Sequence, residues 1–229
     1  MNTRLPRVTP LTLKSRDALA LSALLMKPRN AQACFVFAHG AGAGMTHPFM
    51  EDVAAKLYGH GIATLRFQFP FMEKGSKRPD TPAVAHAAIR FAVADARRRC
   101  RGMPIIAGGK SFGGRMTSQA QAEDPIEDVR GLAFVGFPLH PTGKPSITRA
   151  EHLAGIRIPM LFIQGTRDKL AEPVLLRQVC KGLRSRATSH LIDGADHGFH
   201  IPARSGRTDQ DVVAEIALTI SQWVERLES

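Results

Sequence analysis

Residues 105–114 read IIAGGKSFGG, and their reading decides the fold. Gly109-Lys110-Ser111 has the ending of a phosphate-binding loop, whose first glycine would have to stand five positions before Gly109. That position is Pro104, which has no N–H to offer a phosphate, and Ile105, Ile106 and Ala107 after it make a buried strand rather than a cradle. Gly109-Lys110-Ser111-Phe112-Gly113 does satisfy G-x-S-x-G, in which a strand turns sharply into a helix and presents its serine at the apex. Gly108, Gly109, Gly113 and Gly114 are the small residues such a turn needs, and the polar and small residues from Arg115 to Glu123 suit the helix. The competing reading is a glycine-rich turn whose serine only caps that helix.

Outward from this point, strands and helices alternate from residue 33 onward, the mark of an α/β fold with a mostly parallel twisted sheet and helices on both faces. An antiparallel hairpin is expected ahead of it, over 9–13 and 19–26. Strands are expected at 34–38, 63–67, 104–107, 132–137, 159–163 and 189–192. A helix over 47–58 has Thr46 as its expected cap. A polar loop is expected over 70–80, and Thr81-Pro82 opens a helix running to Arg101. The last helix, 209–227, carries Val213, Ile216, Ile220 and Val224 on one stripe.

The 229 residues, 44% of them hydrophobic, suffice for one domain with a full core, and no repeat or Pro-rich linker divides them, so residues 1–229 are expected to form a single domain. Cys34, Cys100 and Cys180 are too scattered for a disulfide framework or a C-x-x-C metal site. Arg4, Arg7, Lys14 and Arg16 precede an apolar run over 18–26, as in a secretory signal, but Lys27 and Arg29 stand where a cleavage site belongs. A cytoplasmic protein that does not enter a membrane is therefore expected. The net charge of +11 raises nucleic acid as a partner, yet the cations are dispersed, and one Trp and one Tyr give few stacking platforms. The densest cluster, Arg97, Arg98, Arg99 and Arg101, falls at the end of a helix, where cations complement the dipole.

A nucleophilic Ser111 needs a histidine to take its proton, a carboxylate to orient that histidine, and N–H donors for the oxyanion. The order sought is serine, acid, histidine, each just past a strand end. Asp168 follows the strand at 159–163, and His197 follows the last strand in a loop flanked by glycines. Asp193 and Asp196 compete with Asp168, although near neighbours in sequence rarely reach the Nδ1 of the imidazole. The 39–44 segment HGAGAG can supply one oxyanion donor from Ala41, with Phe112 as the other. His190, Asp193, His197 and His200 also cluster, but no metal-type spacing links them, and neither a metal nor another cofactor is called for.

At this point the chain resembles an α/β-hydrolase, and more closely a small bacterial group of predicted hydrolases near the dienelactone hydrolases. FAHGAGAGMTHPFM (37–50), AGGKSFGGRM (107–116), GFPLHPTGKP (136–145), IQGTRDKL (163–170) and DGADHGF (193–199) carry the resemblance over nearly the whole chain. It implies a serine hydrolase of small acyl substrates (carboxylester, thioester or lactone), esterase-like, acting through an acyl-enzyme. Eukaryotic relatives of the group include a testis-expressed protein and a histone-acetyltransferase-complex subunit, so a non-catalytic scaffold is the alternative. Dienelactone hydrolases carry cysteine in the elbow, where this chain has Ser111.

Residues 138–158 are too few for the cap domain that larger relatives insert, so an open site is expected. Lys110, Arg115, His140, Lys144 and Arg167 are placed around it by sequence; Lys110 and His140 are the candidate substrate contacts, and an anionic substrate is expected if these cations converge.

Overall fold

The computed structural model describes residues 7–14 and 20–228. Arg4, Arg16, Ala18 and Leu19 of the expected N-terminal pattern lie outside them. Strands β1 (Val8–Lys14) and β2 (Ala20–Met26) pair antiparallel, from Val8 opposite Met26 to Lys14 opposite Ala20. β2 runs antiparallel to β4 (Ile62–Phe67), and β4 is parallel to β3 (Ala33–Ala38). β5 (Ile105–Lys110), β6 (Val129–Val135), β7 (Met160–Gly165) and β8 (Ala187–Ile192) continue the parallel array. The strand order is β1-β2-β4-β3-β5-β6-β7-β8.

Central strands buried on both faces read as continuous apolar runs, and β3, ACFVFA, is buried at every residue. Its alternate side chains serve two separate cores. Phe35 and Phe37 pack with Val53 and Leu57 of α1 (Pro48–Gly59) and with Ile216, Ile220 and Trp223 of α6 (Asp209–Glu228). Val36 faces the other side, with Ile89 of α3 (Pro82–Arg99), Met116 of α4 (Phe112–Glu123) and Leu176 of α5 (Pro173–Leu183). The expected stripe of α6 is buried in the first of these cores, with Trp223 added to it.

From β3 the chain passes to β4 on one side and later returns to β5 on the other. The C-terminal ends of β3 and β5 therefore lie side by side where the winding reverses, the place at which open α/β sheets bind ligands. Between β6 and β7 the chain forms only a 3-10 segment, Thr148–Gly155, so no cap domain covers that end.

Several local expectations shift. β5 does not stop at Ala107 but continues through Gly108, Gly109 and Lys110, because β3 and β6 pair with it on both sides and hold the glycines extended. β6 ends at Val135 rather than residue 137, where Gly136 turns the chain at φ 73°. α1 is capped by His47, whose Nδ1 accepts the Phe49 N–H at 3.3 Å, and not by Thr46. The start of the expected 70–80 loop is a helical turn, α2 (Pro70–Glu73), with Phe69 and Phe71 buried. α3 ends at Arg99, and Thr81 at its start makes no side-chain cap bond. Its terminal arginines are neutralised locally: Arg97 pairs with Glu127 and Asp128, and Arg98 and Arg99 pair with Asp95. Among the described residues no helix is long and apolar enough to cross a membrane.

Candidate active site

Ser111 sits between β5 and α4 at φ 49° and ψ −109°, a conformation that non-glycine residues adopt only under constraint. Its N–H donates to the Val135 carbonyl at 3.1 Å and its carbonyl accepts from Arg115 N–H at 3.0 Å, which locks the backbone of the turn from both sides. Its side chain makes no capping bond to α4. The first turn of α4 crosses the end of β3 so closely that a Cβ on Gly113 would lie 2.5 Å from the Ala38 carbonyl oxygen and 2.6 Å from that of His39. Gly109 is equally constrained, its Cβ position lying 2.2 Å from Ala38 O.

The hydroxyl of Ser111 lies 2.9 Å from His197 Nε2, and His197 Nδ1 lies 2.6 Å from Asp168 Oδ2. A carboxylate can only accept here, so Nδ1 carries the proton and Nε2 is left to accept from the serine. Asp168 is buried and has further donors: Leu170 N–H at 2.7 Å on Oδ1, and the Gln164 side-chain amide on Oδ2. His197 stands in a turn closed by Phe199 N–H to Asp196 O at 3.0 Å and Asp196 N–H to His200 O at 3.1 Å. Phe199 holds φ 67° in that turn while its ring stacks on Phe49 at 5.5 Å.

The residues grouped earlier as a metal alternative have different partners. His190 meets Glu215, His200 meets Asp209, and Asp193 accepts from Thr166.

Phe112 occupies the first position of α4, where a backbone N–H has no intrahelical acceptor and belongs to the positive end of the helix dipole. Ala41 lies in the loop after β3 and, with Ser111, lines one cavity. That loop is pinned by His39, whose importance the sequence reading missed. Its buried Nε2 accepts the Phe69 N–H at 3.0 Å and its Nδ1–H donates to Gly40 O at 2.8 Å. Burial lowers the pKa of His39, which suits this neutral tautomer. The available signal was the histidine itself, an unlikely side chain at the end of a wholly apolar strand.

A cavity of about 320 Å³ opens above Ser111 and His197. Its walls are the 40–43 loop, Phe49 and Met50 of α1, and the side chains of His47, Lys110 and His200. Of the cations placed here by sequence, only Lys110 is brought to it. His140 is fully buried, with Nδ1 at Pro141 O and Nε2 at the Glu172 carboxylate, because the chain after β6 folds inward there. Arg115, Lys144 and Arg167 do not line the cavity. A larger cavity, about 770 Å³, lies at the other end of β5 beside Arg97, Arg98, Arg101 and Arg130.

The family described as "Alpha/beta hydrolase domain" matches residues 31–225. Among solved structures, the chain is similar to a dienelactone hydrolase from Anabaena variabilis, at 20% identity and a TM-score of 0.76, covering 97% of this chain and 99% of that one. It is also similar to an esterase domain of a Rhodothermus marinus protein, at 17% identity and a TM-score of 0.72 over 96% and 98% of the two chains. A Xanthomonas campestris protein described as an α/β serine hydrolase without lid matches at 18% identity and a TM-score of 0.72, over 95% of each chain.

Proposed function

The chain belongs to the alpha/beta hydrolase domain family, and from that premise we propose that it is a serine hydrolase of small acyl substrates, working through an acyl-enzyme. The observation that carries this reading is the continuous chain of hydrogen bonds from Ser111 Oγ through His197 to the buried carboxylate of Asp168. In the proposed reaction, Ser111 Oγ attacks the acyl carbon while His197 Nε2 takes the hydroxyl proton. Asp168 holds the imidazole in its tautomer and stabilises the imidazolium that forms. The negative charge gathering on the carbonyl oxygen meets the N–H groups of Phe112 and Ala41. As the tetrahedral intermediate collapses, the bond from carbon to the leaving oxygen or sulfur breaks and Nε2 returns the proton to the leaving group. A water then gives a proton to Nε2 and attacks the acyl-serine, releasing the acid and restoring the hydroxyl. Neither metal nor cofactor has a part in these steps.

The cavity sits near the lower end of the range for ligand sites. Carboxylesters, thioesters and lactones with a short acyl part are therefore the proposed substrate class.

A fluorophosphonate probe followed by mass spectrometry tests the reading. Labelling is expected at Ser111 and is expected to vanish in a folded Ser111→Ala variant. Wild-type protein that is folded, never labels and turns over no acyl substrate would return the chain to the scaffold alternative.

A further inference from the structure

Resting on the hydrolase reading, we propose that Lys110 is a positioning residue, whose side chain ties the histidine loop to the nucleophile elbow and so sets His197 Nε2 against Ser111 Oγ. The two loops are 87 residues apart in sequence, and the Lys110 ammonium spans them by donating to the His197 backbone carbonyl at 2.5 Å. Since Lys110 is the residue immediately before Ser111, a constrained backbone orients both side chains together.

The surroundings of the ammonium are built for one placement. Nζ lies 5.1 Å from the ring centroid of Phe199 and 6.0 Å from that of Phe49, the stacked pair that braces the histidine turn. Gly136 leaves the space it occupies: a Cβ there would stand 3.0 Å from Nζ and 3.6 Å from His197 Cε1. The charged and titratable neighbours are Asp168 after β7, Asp196 and His200 in the histidine loop, and His47 at the start of α1. Burial pushes the Lys110 pKa down to about 8, and Asp168 and Asp196 partly offset that by favouring the cation.

The alternative role, direct contact with an anionic substrate, would require the ammonium to share or surrender its bond to the His197 carbonyl. A residue acting through the histidine changes kcat and the state of the imidazole. A substrate contact changes KM for charged substrates alone.

The test compares Lys110→Met and Lys110→Arg with wild type, using Lys144→Met as a control for loss of an exposed cation. With a neutral short-chain ester, Lys110→Met is expected to lower kcat about 10- to 100-fold, the scale of a small misplacement of a reacting group, with KM little changed. Lys110→Arg, which keeps a donor, is expected to recover part of the loss. In nitrogen-15 spectra of histidine-labelled protein, the ring signals of His197 are expected to shift or broaden in Lys110→Met and to keep their wild-type form in Lys144→Met. If Lys110→Met does not fold, the shorter Lys110→Gln is read the same way. Wild-type kcat with unchanged His197 signals would overturn the proposal, as would a loss confined to KM for carboxylate-bearing esters. Either result beside normal fluorophosphonate labelling of Ser111 leaves the hydrolase reading standing. If wild type neither labels nor turns over, that reading fails, while the His197 spectra still decide whether Lys110 sets the ring.

Discussion

His197 Nδ1 lies 2.6 Å from Asp168 Oδ2, although 29 residues separate them, while the two aspartates nearest His197 in sequence face other partners. Asp193 Oδ1 accepts from Thr166 Oγ1 at 3.1 Å, and Asp196 Oδ1 accepts from His200 N–H at 2.9 Å. In Asp168→Asn the Leu170 N–H favours the amide oxygen at the Oδ1 place, so the NH2 takes the place of Oδ2, donates to Nδ1 and favours the wrong tautomer. Turnover of an acyl substrate is expected to fall about 10²- to 10⁴-fold in Asp168→Asn. Asp193→Asn and Asp196→Asn are expected to cost far less, and steady-state kinetics on the three variants give the ranking.

Gly113 carries a second prediction, because the first turn of α4 reaches its place over β3 only without a side chain. A Cβ there meets the Ala38 and His39 carbonyls at 2.5 and 2.6 Å, both backbone atoms that cannot swing aside. Gly113→Ala is expected to cost about 1–3 kcal/mol in unfolding free energy, the range for overpacking. Fluorophosphonate labelling should slow with it, because Ser111 and the Ala41 loop adjoin the strained contact. Gly155→Ala, at a site with nothing within 4 Å, serves as the control in urea unfolding.

Much of the candidate site's geometry was legible because the residues it brings together coincide with chain-level signals. Ser111 is flanked by the glycines its turn demands, Asp168 follows the largely apolar strand β7 that ends in Gly165, and His197 stands in a loop between Gly194 and Gly198. The burial of His140 was not legible, since its inward turn depends on Glu172, 32 residues away and on another element. The bond from Lys110 to His197 is hidden for the same reason, as it exists only once β5 and the loop after β8 have been brought together. Strand ends were misplaced where pairing overrides propensity. Gly108 and Gly109 weaken any strand read locally, yet β3 and β6 hold them extended.

Stability is expected to depend on pH through His152 and His39. The His152 ring donates from Nε2 to Ser118 Oγ at 2.7 Å, because that hydroxyl already donates to Arg115 O. Burial first, then the charges of Arg115 and His86, lower its pKa from the usual 6.5 to about 4. The unfolded chain thus takes up a proton at a pH where the folded protein does not, and stability rises with pH across that window. It should be fully present above pH 6.5 and decline as pH falls toward 4. His39, lowered by its own burial, acts in the same direction. Urea midpoints measured from pH 7.5 to 4.5 are expected to fall, and His152→Gln, which cannot take up a proton, should flatten the slope.

The final prediction concerns the size and charge of the acyl group. A cavity of about 320 Å³, walled by Phe49, Met50 and the 40–43 loop and not covered by a cap domain, can bury only a short chain. Each methylene that enters it contributes about 0.8 kcal/mol, close to fourfold in kcat/KM, and methylenes beyond its rim contribute almost nothing. Across acetyl, butyryl, hexanoyl and octanoyl esters of one alcohol, kcat/KM is expected to climb at first and then to level or fall. The charge expectation changes with the geometry, since His140 is buried elsewhere and Arg115, Lys144 and Arg167 stand outside the cavity. With Lys110 bonded to the His197 carbonyl, a terminal carboxylate gains little attraction for added salt to weaken. Matched neutral and carboxylate-bearing butyryl esters should therefore show similar kcat/KM at low and high ionic strength. A steady rise out to octanoyl would require an apolar channel beyond the cavity. A carboxylate preference that collapses in salt would instead assign substrate recognition to the cavity-wall side chains Lys110, His47 or His200, and its loss in Lys110→Met would single out the ammonium.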